Sequence, residues 1–149
     1  MVVKPENIQE LALELGRAMT EMKSRLRQQI RAKISEYDPD LSFELLEIIG
    51  LLWRQDGINQ QEIADIVSKD KSSVTYLINS LVKRDLVKRV ENKDDRRNKQ
   101  IYLTPRGRKK RETIFPWVLE LYRQAAGDLG EDEIRDAISL VKKMTTNLG

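Results

Sequence analysis

The chain has 149 residues, enough for one domain with a hydrophobic core and an appended element. It contains neither Cys nor His, which excludes disulfides, thiol chemistry and histidine metal ligands. No run approaches the roughly 18 apolar residues of a membrane span, and the N-terminus lacks an apolar signal core. We therefore expect a cytoplasmic protein with no membrane partner, metal or other cofactor.

The net charge of +3 conceals a strong asymmetry along the chain. Residues 69–112 carry 15 Lys or Arg against 6 Asp or Glu, whereas residues 41–68 carry 1 against 5. Such segregation favours a polyanionic partner, and nucleic acid is the obvious one. An anionic membrane fits less well, because no basic segment has an apolar face free for lipid.

The first predicted element is a long helix from Pro5 to about Ser35, since Pro and Glu6 suit a first turn. Its apolar residues recur at three- and four-residue steps: Ile8, Leu11, Leu15, Met19, Met22, Leu26, Ile30 and Ile34. At about 1.5 Å per residue, such a helix overreaches a small domain. We predict that it packs against a partner, the alternative being that it folds back on its own core.

A second and a third helix follow the breaker Pro39. The second, from Ser42 to about Arg54, is apolar on nearly all sides, so we expect it to form the centre of the core. Asn59 and Glu62 resemble a capping box that starts the short third helix. We expect this helix to bury its four apolar residues, Ile63, Ala64, Ile66 and Val67.

A tight turn at residues 68–70 leads into a fourth helix with Asp70 as its N-cap, which completes a helix-turn-helix. Its spacing predicts one buried face, formed by Val74, Leu77, Ile78, Leu81 and Val82. The polar residues are candidate DNA contacts: Lys71, Ser72, Ser73, Thr75, Tyr76, Asn79 and Lys83. Taken alone, such a face is more often merely solvated.

After Asp85 the period changes from helical to extended, which predicts a small hairpin. Its strands contain Leu86, Val87 and Val90 on one side and Ile101 and Leu103 on the other. The tip, NKDDRRN at residues 92–98, is more charged than a turn requires and should project into solvent. A cationic ribbon beside a polar helix suits a duplex, with the helix in the major groove and the arginines on phosphates or in the minor groove.

Thr104 and Pro105 start another helix, which we expect to kink at Pro116. Its basic opening could extend the phosphate-facing surface with Arg106, Arg108, Lys109, Lys110 and Arg111. A last helix, from Asp132 to about Asn147, has an apolar side. Two terminal helical regions with apolar stripes suggest a joint dimer interface.

The order of these elements and the run DDRRNKQIYLTPRGR at residues 94–108 resemble the MarR (multiple antibiotic resistance regulator) family of transcription factors. The resemblance implies a mostly α fold with a small β-hairpin. A winged helix-turn-helix DNA-binding domain would occupy residues 39–108, with dimerisation helices at 1–38 and 109–149. It also implies an obligate homodimer on a pseudo-palindromic operator in double-stranded DNA.

The resemblance assigns roles to particular residues. Ser72, Ser73 and Thr75 match recognition-helix positions that meet bases or phosphates. The wing residues are Asp95, Arg96, Arg97 and Lys99. Arg97 matches the minor-groove arginine, and Asp95 the carboxylate that steadies the wing. Tyr76 departs from the pattern, where arginine is common, and this favours contact with a thymine methyl over guanine recognition.

Many family members release DNA on binding a small phenolic or carboxylate effector between the DNA-binding lobe and the dimer helices. The resemblance points to Tyr37, Trp53 and Arg54 as the lining of such a cleft, although aromatic residues near helix ends are more often part of a core. The composition excludes the cysteine-based peroxide sensors of the family and disfavours its histidine-dependent metal sensors.

The leading hypothesis is a homodimeric, sequence-specific repressor, or less often activator, that a ligand releases from DNA. One alternative is a winged-helix module that binds protein, which predicts an apolar wing. Another is a non-specific DNA-binding protein without ligand response. An enzyme is disfavoured, because the glycines form no phosphate-binding loop and there is no Cys or His nucleophile or base.

Overall fold

A computed structural model describes residues 7–149, in which six helices accompany one small sheet. The elements are α1 (Ile8–Tyr37), α2 (Phe43–Arg54), β1 (Ile58–Asn59), α3 (Gln60–Val67), α4 (Lys71–Lys83), β2 (Val87–Glu91), β3 (Lys99–Leu103), α5 (Pro105–Ala126) and α6 (Glu131–Asn147). The chain divides into two compact units, Met1–Pro116 and Trp117–Gly149. The predicted mostly α fold with a small β element is confirmed.

Helix α1 is as long as predicted, but its apolar stripe has two environments. Asn7 caps its first turn by accepting a hydrogen bond from the Glu10 N–H at 2.9 Å. The predicted start at Pro5 and Glu6 lies outside the described residues. Toward the C-terminal end the stripe is buried, at Leu26, Ile30 and Ile34. Toward the N-terminal end it is exposed, at Ile8, Leu11, Met19 and Met22.

Helix α2 forms the centre of the core, as its composition predicted. It contacts α1, α3, α4 and β3. Ser42 caps it, and five of its apolar residues are buried: Leu45, Ile48, Ile49, Leu51 and Leu52. Trp53, near its C-terminal end, is only half-buried. Helix α2 therefore supports the two helices that follow it.

Helices α3 and α4 form the predicted helix-turn-helix. Asn59 caps α3 as predicted, since its side chain accepts from the Glu62 N–H at 2.8 Å. The return bond to the Glu62 carboxylate, at 2.7 Å, comes from the Asn59 side-chain amide and not from its backbone N–H, so the pair only resembles a capping box. Ser68 turns the chain in the left-handed conformation at φ 55°. The prediction that α3 buries Ile66 is wrong, because that side chain is 51% exposed. An eight-residue helix turns only one narrow face to the core, and Ile63 and Ala64 occupy it.

The sheet has three antiparallel strands in the order β1-β3-β2, one strand more than the predicted hairpin. Ile58 of β1 pairs with Ile101 of β3, and both are buried. Because β1 has only two residues, the N–H of Leu103 lies beyond its reach and donates instead to the Asp56 carboxylate at 2.9 Å. A strand of two residues leaves too little periodicity to be recognised in a sequence.

The start of α5 anchors the base of the hairpin. Thr104 is buried, and its hydroxyl donates to the Asp85 carbonyl at 2.6 Å and accepts from the Gly107 N–H at 3.0 Å. A Cβ added to Gly107 would lie 2.1 Å from the Leu86 carbonyl oxygen. Only glycine allows α5 to pass this close to the backbone of Leu86, the residue before β2.

The second unit contains the end of α5 and helix α6, and none of its residues is buried. Helix α5 continues through Pro116, where the first unit ends. Helix α6 starts with three acidic residues, which complement the positive end of its dipole. It leaves Ile134, Ile138 and Leu140 exposed. Among residues 7–149, no helix is both long and apolar enough to cross a membrane, and no acidic cluster is arranged to hold a metal ion.

Candidate nucleic-acid interface

Helix α4 turns one face to the core and the other outward. Val74, Ile78 and Leu81 are buried. The predicted burial of Val82 is wrong, because its side chain is 37% exposed near the helix end, and Leu77 is only half-buried. Six of the candidate DNA contacts are exposed: Lys71, Ser72, Ser73, Tyr76, Asn79 and Lys83. The seventh, Thr75, is half-buried.

Asp70 holds the N-terminal end of α4. Its carboxylate accepts from the Ser73 N–H at 3.1 Å and also from the Ser73 hydroxyl. These two hydrogen bonds lower the pKa of the Asp70 carboxyl from its ordinary value of 3.8. Ser72 and Ser73 are both exposed, but the hydroxyl hydrogen of Ser73 is committed to the helix cap.

Arg89 on β2, which is absent from the predicted contact set, connects three elements through side-chain hydrogen bonds. Its Nε donates to the Gln60 Oε1 at 3.0 Å, and its Nη2 donates to the Asn79 Oδ1. The Gln60 Nε2 donates to the Thr75 Oγ1 at 3.2 Å, and that hydroxyl donates to the Lys71 carbonyl at 2.9 Å. The network therefore joins the start of α3, the middle of α4 and the wing strand.

Strand periodicity could have revealed Arg89. It lies two residues after Val87, which is buried, and pairs across the ladder with the buried Ile101. Residues at this spacing share one face of a strand, so Arg89 is a cation on the core-facing side of the hairpin. A charge in that position needs hydrogen-bonding partners, and the tertiary fold supplies them.

The wing tip connects β2 and β3, and its own side chains shape its turns. The Asn92 Oδ1 accepts from the Asp94 N–H at 3.0 Å, and the Asp95 Oδ1 accepts from the Arg97 N–H at 3.0 Å. The Asp95 carbonyl also accepts from the Asn98 N–H at 3.0 Å. The two side-chain contacts are typical of Asx turns and the backbone bond of a β-turn, which together fix the backbone without an apolar anchor.

The cations of the wing are available to a ligand. Lys93, Arg96, Arg97 and Lys99 are all exposed. Within residues 7–149, no ion pair engages any of these four side chains. They extend from the hairpin whose strand β2 is joined to the outward face of α4 by the Arg89–Asn79 hydrogen bond.

The basic opening of α5 is less uniform than its sequence suggested. Arg106 and Lys109 are exposed, and Arg108 donates to the Asp56 carboxylate at 2.7 Å. Lys110 and Arg111 instead turn toward the protein, because a helix of 3.6 residues per turn cannot direct the four consecutive side chains of residues 108–111 to one side. The expected extension of the phosphate-facing surface by Lys110 and Arg111 is therefore wrong.

Asp38, in the loop after α1, binds two of these inward cations. It accepts from Arg84, the C-cap of α4, at 2.6 Å and from Lys110 at 3.3 Å. Burial raises the pKa of the Asp38 carboxyl, but the hydrogen bond and charge of Arg84, with hydrogen bonds from Lys110 and the Asp40 N–H, outweigh it, so the pKa falls below 3.8. The carboxylate holds the C-terminal end of α4 against α5.

Two of the three candidate effector residues, Tyr37 and Trp53, lie close to a cation of α5. The Tyr37 ring lies 5.1 Å from Lys110 Nζ, measured to the ring centroid. The Arg111 guanidinium lies 4.3 Å from the Trp53 ring and 3.4 Å from the Phe115 ring. Burial lowers the pKa of Arg111 from its ordinary value. Arg54 is exposed.

Comparison with known proteins identifies the architecture. The model of the MarR family matches residues 41–99, from the start of α2 to the return strand of the wing. An uncharacterized HTH-type transcriptional regulator of Bacillus subtilis (strain 168), YpoP, is 33% identical over 95 residues, which cover 61% of this chain and 67% of YpoP.

Two solved structures share the fold. A MarR transcriptional regulator from Methanosarcina mazei Go1 superimposes with a TM-score of 0.78 at 24% identity, covering 89% of this chain and 94% of that one. The MepR–DNA complex from S. aureus gives a TM-score of 0.73 at 24% identity, covering 89% and 96%. With the likeness to YpoP, the family match assigns the chain: it belongs to the MarR family of transcriptional regulators and is not an enzyme.

Proposed function

We propose that this regulator is a homodimer that binds a pseudo-palindromic operator in double-stranded DNA and represses transcription until a small-molecule effector releases it. In each subunit α4 enters the major groove and the wing arginines reach the minor groove or its phosphates. The protein acts in the cytoplasm, where bacterial and archaeal DNA lies.

One observation carries the DNA-binding part of this proposal. The outward face of α4, with Ser72, Tyr76 and Asn79, adjoins a wing whose four cations are exposed and engaged in no ion pair within residues 7–149. A polar helix flanked by free cations matches a duplex, which offers base edges between two lines of phosphate. The related fold of MepR, solved as a complex with DNA, supports the same assignment.

Two exposed apolar surfaces, one in each unit, support the proposed dimer. The N-terminal part of α1 exposes Ile8, Leu11 and Met22, and α6 exposes Ile138 and Leu140. A folded chain rarely leaves such periodic apolar stripes in water. We assign residues 1–38 and 109–149 to dimerisation and residues 39–108 to DNA binding.

The effector part rests on the cations and rings around Tyr37 and Trp53. Arg111 offers positive charge to a carboxylate, Lys110 would exchange Asp38 for it, and the aromatic rings offer stacking to a phenol. Both cations belong to α5, as does part of the assigned dimerisation region. A ligand here would act by changing the distance between the two recognition helices.

The test is binding to duplex DNA from the regulator's own upstream region, compared with a random duplex of equal length across a salt series. A preference for the upstream duplex of roughly 10³ or more supports a specific, autoregulating factor. Equal affinity for both duplexes with a steep salt dependence would support the non-specific alternative.

The same samples test the remaining parts. Sedimentation should give a dimer, and a Leu11→Glu variant should dissociate it, because a carboxylate would enter an apolar contact. Benzoate and phenol derivatives, added to the protein–DNA complex, should release the duplex. A protein that binds no duplex but retains a dimer would favour the protein-interaction alternative.

A further inference from the structure

Arg89 fixes the direction in which the Asn79 amide faces. A guanidinium carries only donors, so the amide atom that contacts it must be the oxygen. The amide nitrogen of Asn79 is therefore on the side away from Arg89, on an exposed residue of the α4 outward face. Without Arg89, the amide could rotate and offer either its donor or its acceptor to a partner.

The same reasoning fixes Gln60 and Thr75. The Gln60 oxygen accepts from Arg89 Nε at 3.0 Å, so its nitrogen faces Thr75 Oγ1, 3.2 Å away. The Thr75 hydroxyl accepts this bond and gives its only hydrogen to the Lys71 carbonyl at 2.9 Å. Thr75 therefore has no hydroxyl hydrogen left for a base, although it belongs to the predicted contact set.

Together these bonds leave Asn79 as a directed donor within a preorganised group. Asparagine recognises adenine by using its oxygen and its nitrogen together on the two edge atoms of that base. An amide held by its oxygen presents chiefly its N–H groups. Such donors match the acceptors of the major groove: purine N7, guanine O6 and thymine O4.

We propose that Arg89 is a positioning residue for sequence recognition, which directs the Asn79 amide nitrogen toward a major-groove acceptor. This inference rests on the proposed function, because it requires α4 to lie in the major groove. It makes Arg89, on the core-facing side of the wing strand, a determinant of base preference without a base contact of its own.

The experiment selects duplexes from a library of randomised sequence with wild-type protein, Arg89→Met and Lys88→Met. Methionine keeps most of the length of the arginine stem but lacks the donors. Lys88 is the matched control, because it is an exposed cation on the same strand whose removal leaves the network intact. Thermal unfolding of each variant verifies that the fold is retained.

At one position in each half-site, wild-type protein should select a base that has a hydrogen-bond acceptor on its major-groove edge. Arg89→Met should abolish the base preference at that position alone. It should also lower affinity for the sequence that wild type selects by about tenfold, because one oriented hydrogen bond is lost. Lys88→Met should keep the preference. Replacing the selected purine by its 7-deaza analogue should weaken wild-type binding if N7 is the acceptor.

A second variant, Asn79→Asp, keeps an acceptor for Arg89 but replaces the outward donor by a carboxylate oxygen. It should lose the same base preference as Arg89→Met. In an Asn79→Leu background, Arg89→Met should have little further effect, since the two residues act through one amide.

Two results would overturn the inference while leaving the proposed function intact. One is Arg89→Met protein that selects the same bases as wild type. The other is a uniform loss of affinity for all duplexes with a reduced salt slope, which would make Arg89 a phosphate contact. Wild-type protein that selects no sequence would instead contradict the proposed function and this inference together.

Discussion

The outward face of α4 and the wing tip are both polar and exposed, but they are organised in different ways. On α4, Thr75 and Asn79 are bonded through Gln60 and Arg89 to two other elements. At the wing tip, Asp95 and Asn92 fix the backbone while the cationic side chains extend freely. A preorganised donor suits recognition of a particular base, whereas a mobile cation suits a phosphate or a groove of any sequence.

The largest effect on stability is expected at Gly107, where α5 packs against the base of the hairpin that follows α4. The Gly107→Ala change places a Cβ 2.1 Å from the Leu86 carbonyl oxygen, so α5 and the hairpin base must separate. We expect a loss of about 3 kcal/mol in the free energy of unfolding, measured by urea denaturation.

Gly50 provides the control for this change. It also lies within a helix, α2, but a Cβ there would meet nothing within 4 Å. Gly50→Ala should leave stability unchanged or raise it by up to about 1 kcal/mol. Equal changes in the free energy of unfolding for the two substitutions would show that the close contact at Gly107 does not limit stability.

A smaller effect is expected at the far end of α4, where Asp38 binds Arg84 and Lys110. Asp38→Asn removes the charge that both cations share, and we expect a loss of about 2 kcal/mol at neutral pH. Because the folded-state pKa of Asp38 is lowered, its contribution is present above pH 3.8 and is lost as the pH falls through the folded-state pKa.

Urea denaturation at several pH values tests this contribution. The wild type and Asp38→Asn should differ most near neutral pH and converge in acid. Asp40→Asn, an exposed change in the same loop, is the control and should have little effect at any pH. A difference that stayed constant down to acid pH would rule out the charge of Asp38 as its source.

Arg97→Ala tests the free charge of the wing. We expect affinity for the operator to fall by about tenfold and the salt slope to decrease by about 1, with base preference unchanged. Fluorescence anisotropy across a salt series measures both quantities. Arg17→Ala, which removes an exposed cation of α1, should change neither. A change in base preference would give the wing the role assigned here to α4.

Thr75→Ala is expected to have the smallest effect on affinity and to act mainly on sequence preference. It removes the hydroxyl that positions Gln60, and through it the bond with Arg89. Affinity for the operator should fall by about threefold, the value of one modest hydrogen bond. Thr75→Ser, which keeps the hydroxyl, should retain the preference, and a parallel loss in Thr75→Ser would implicate the methyl group instead.

The local features of this fold could be predicted from the sequence. Asp70, Asn59 and Thr104 start helices because each side-chain oxygen binds an N–H three residues later, a contact that needs no tertiary structure. The helix-turn-helix and the hairpin follow from changes in apolar period. The resemblance of the wing sequence then led to the family, which the comparisons confirm.

Burial at the edges of the core could not be predicted in the same way. Ile66 and Val82 follow the apolar spacing of their helices but remain exposed, because periodicity identifies a face and not how far a neighbour covers it. Lys110 and Arg111 belong to a run of cations, yet one binds Asp38 and the other lies between two aromatic rings.

By itself the sequence determined the elements, their caps and the concentration of positive charge around α4 and the wing, since these depend on neighbours in the chain. Only the tertiary structure decided which polar groups are free to meet DNA. Arg89 forms a hydrogen bond with Gln60 across 29 residues of sequence, and Asp38 forms one with Lys110 across 72. Such hydrogen bonds exist only after packing brings distant segments together, because no local periodicity encodes them.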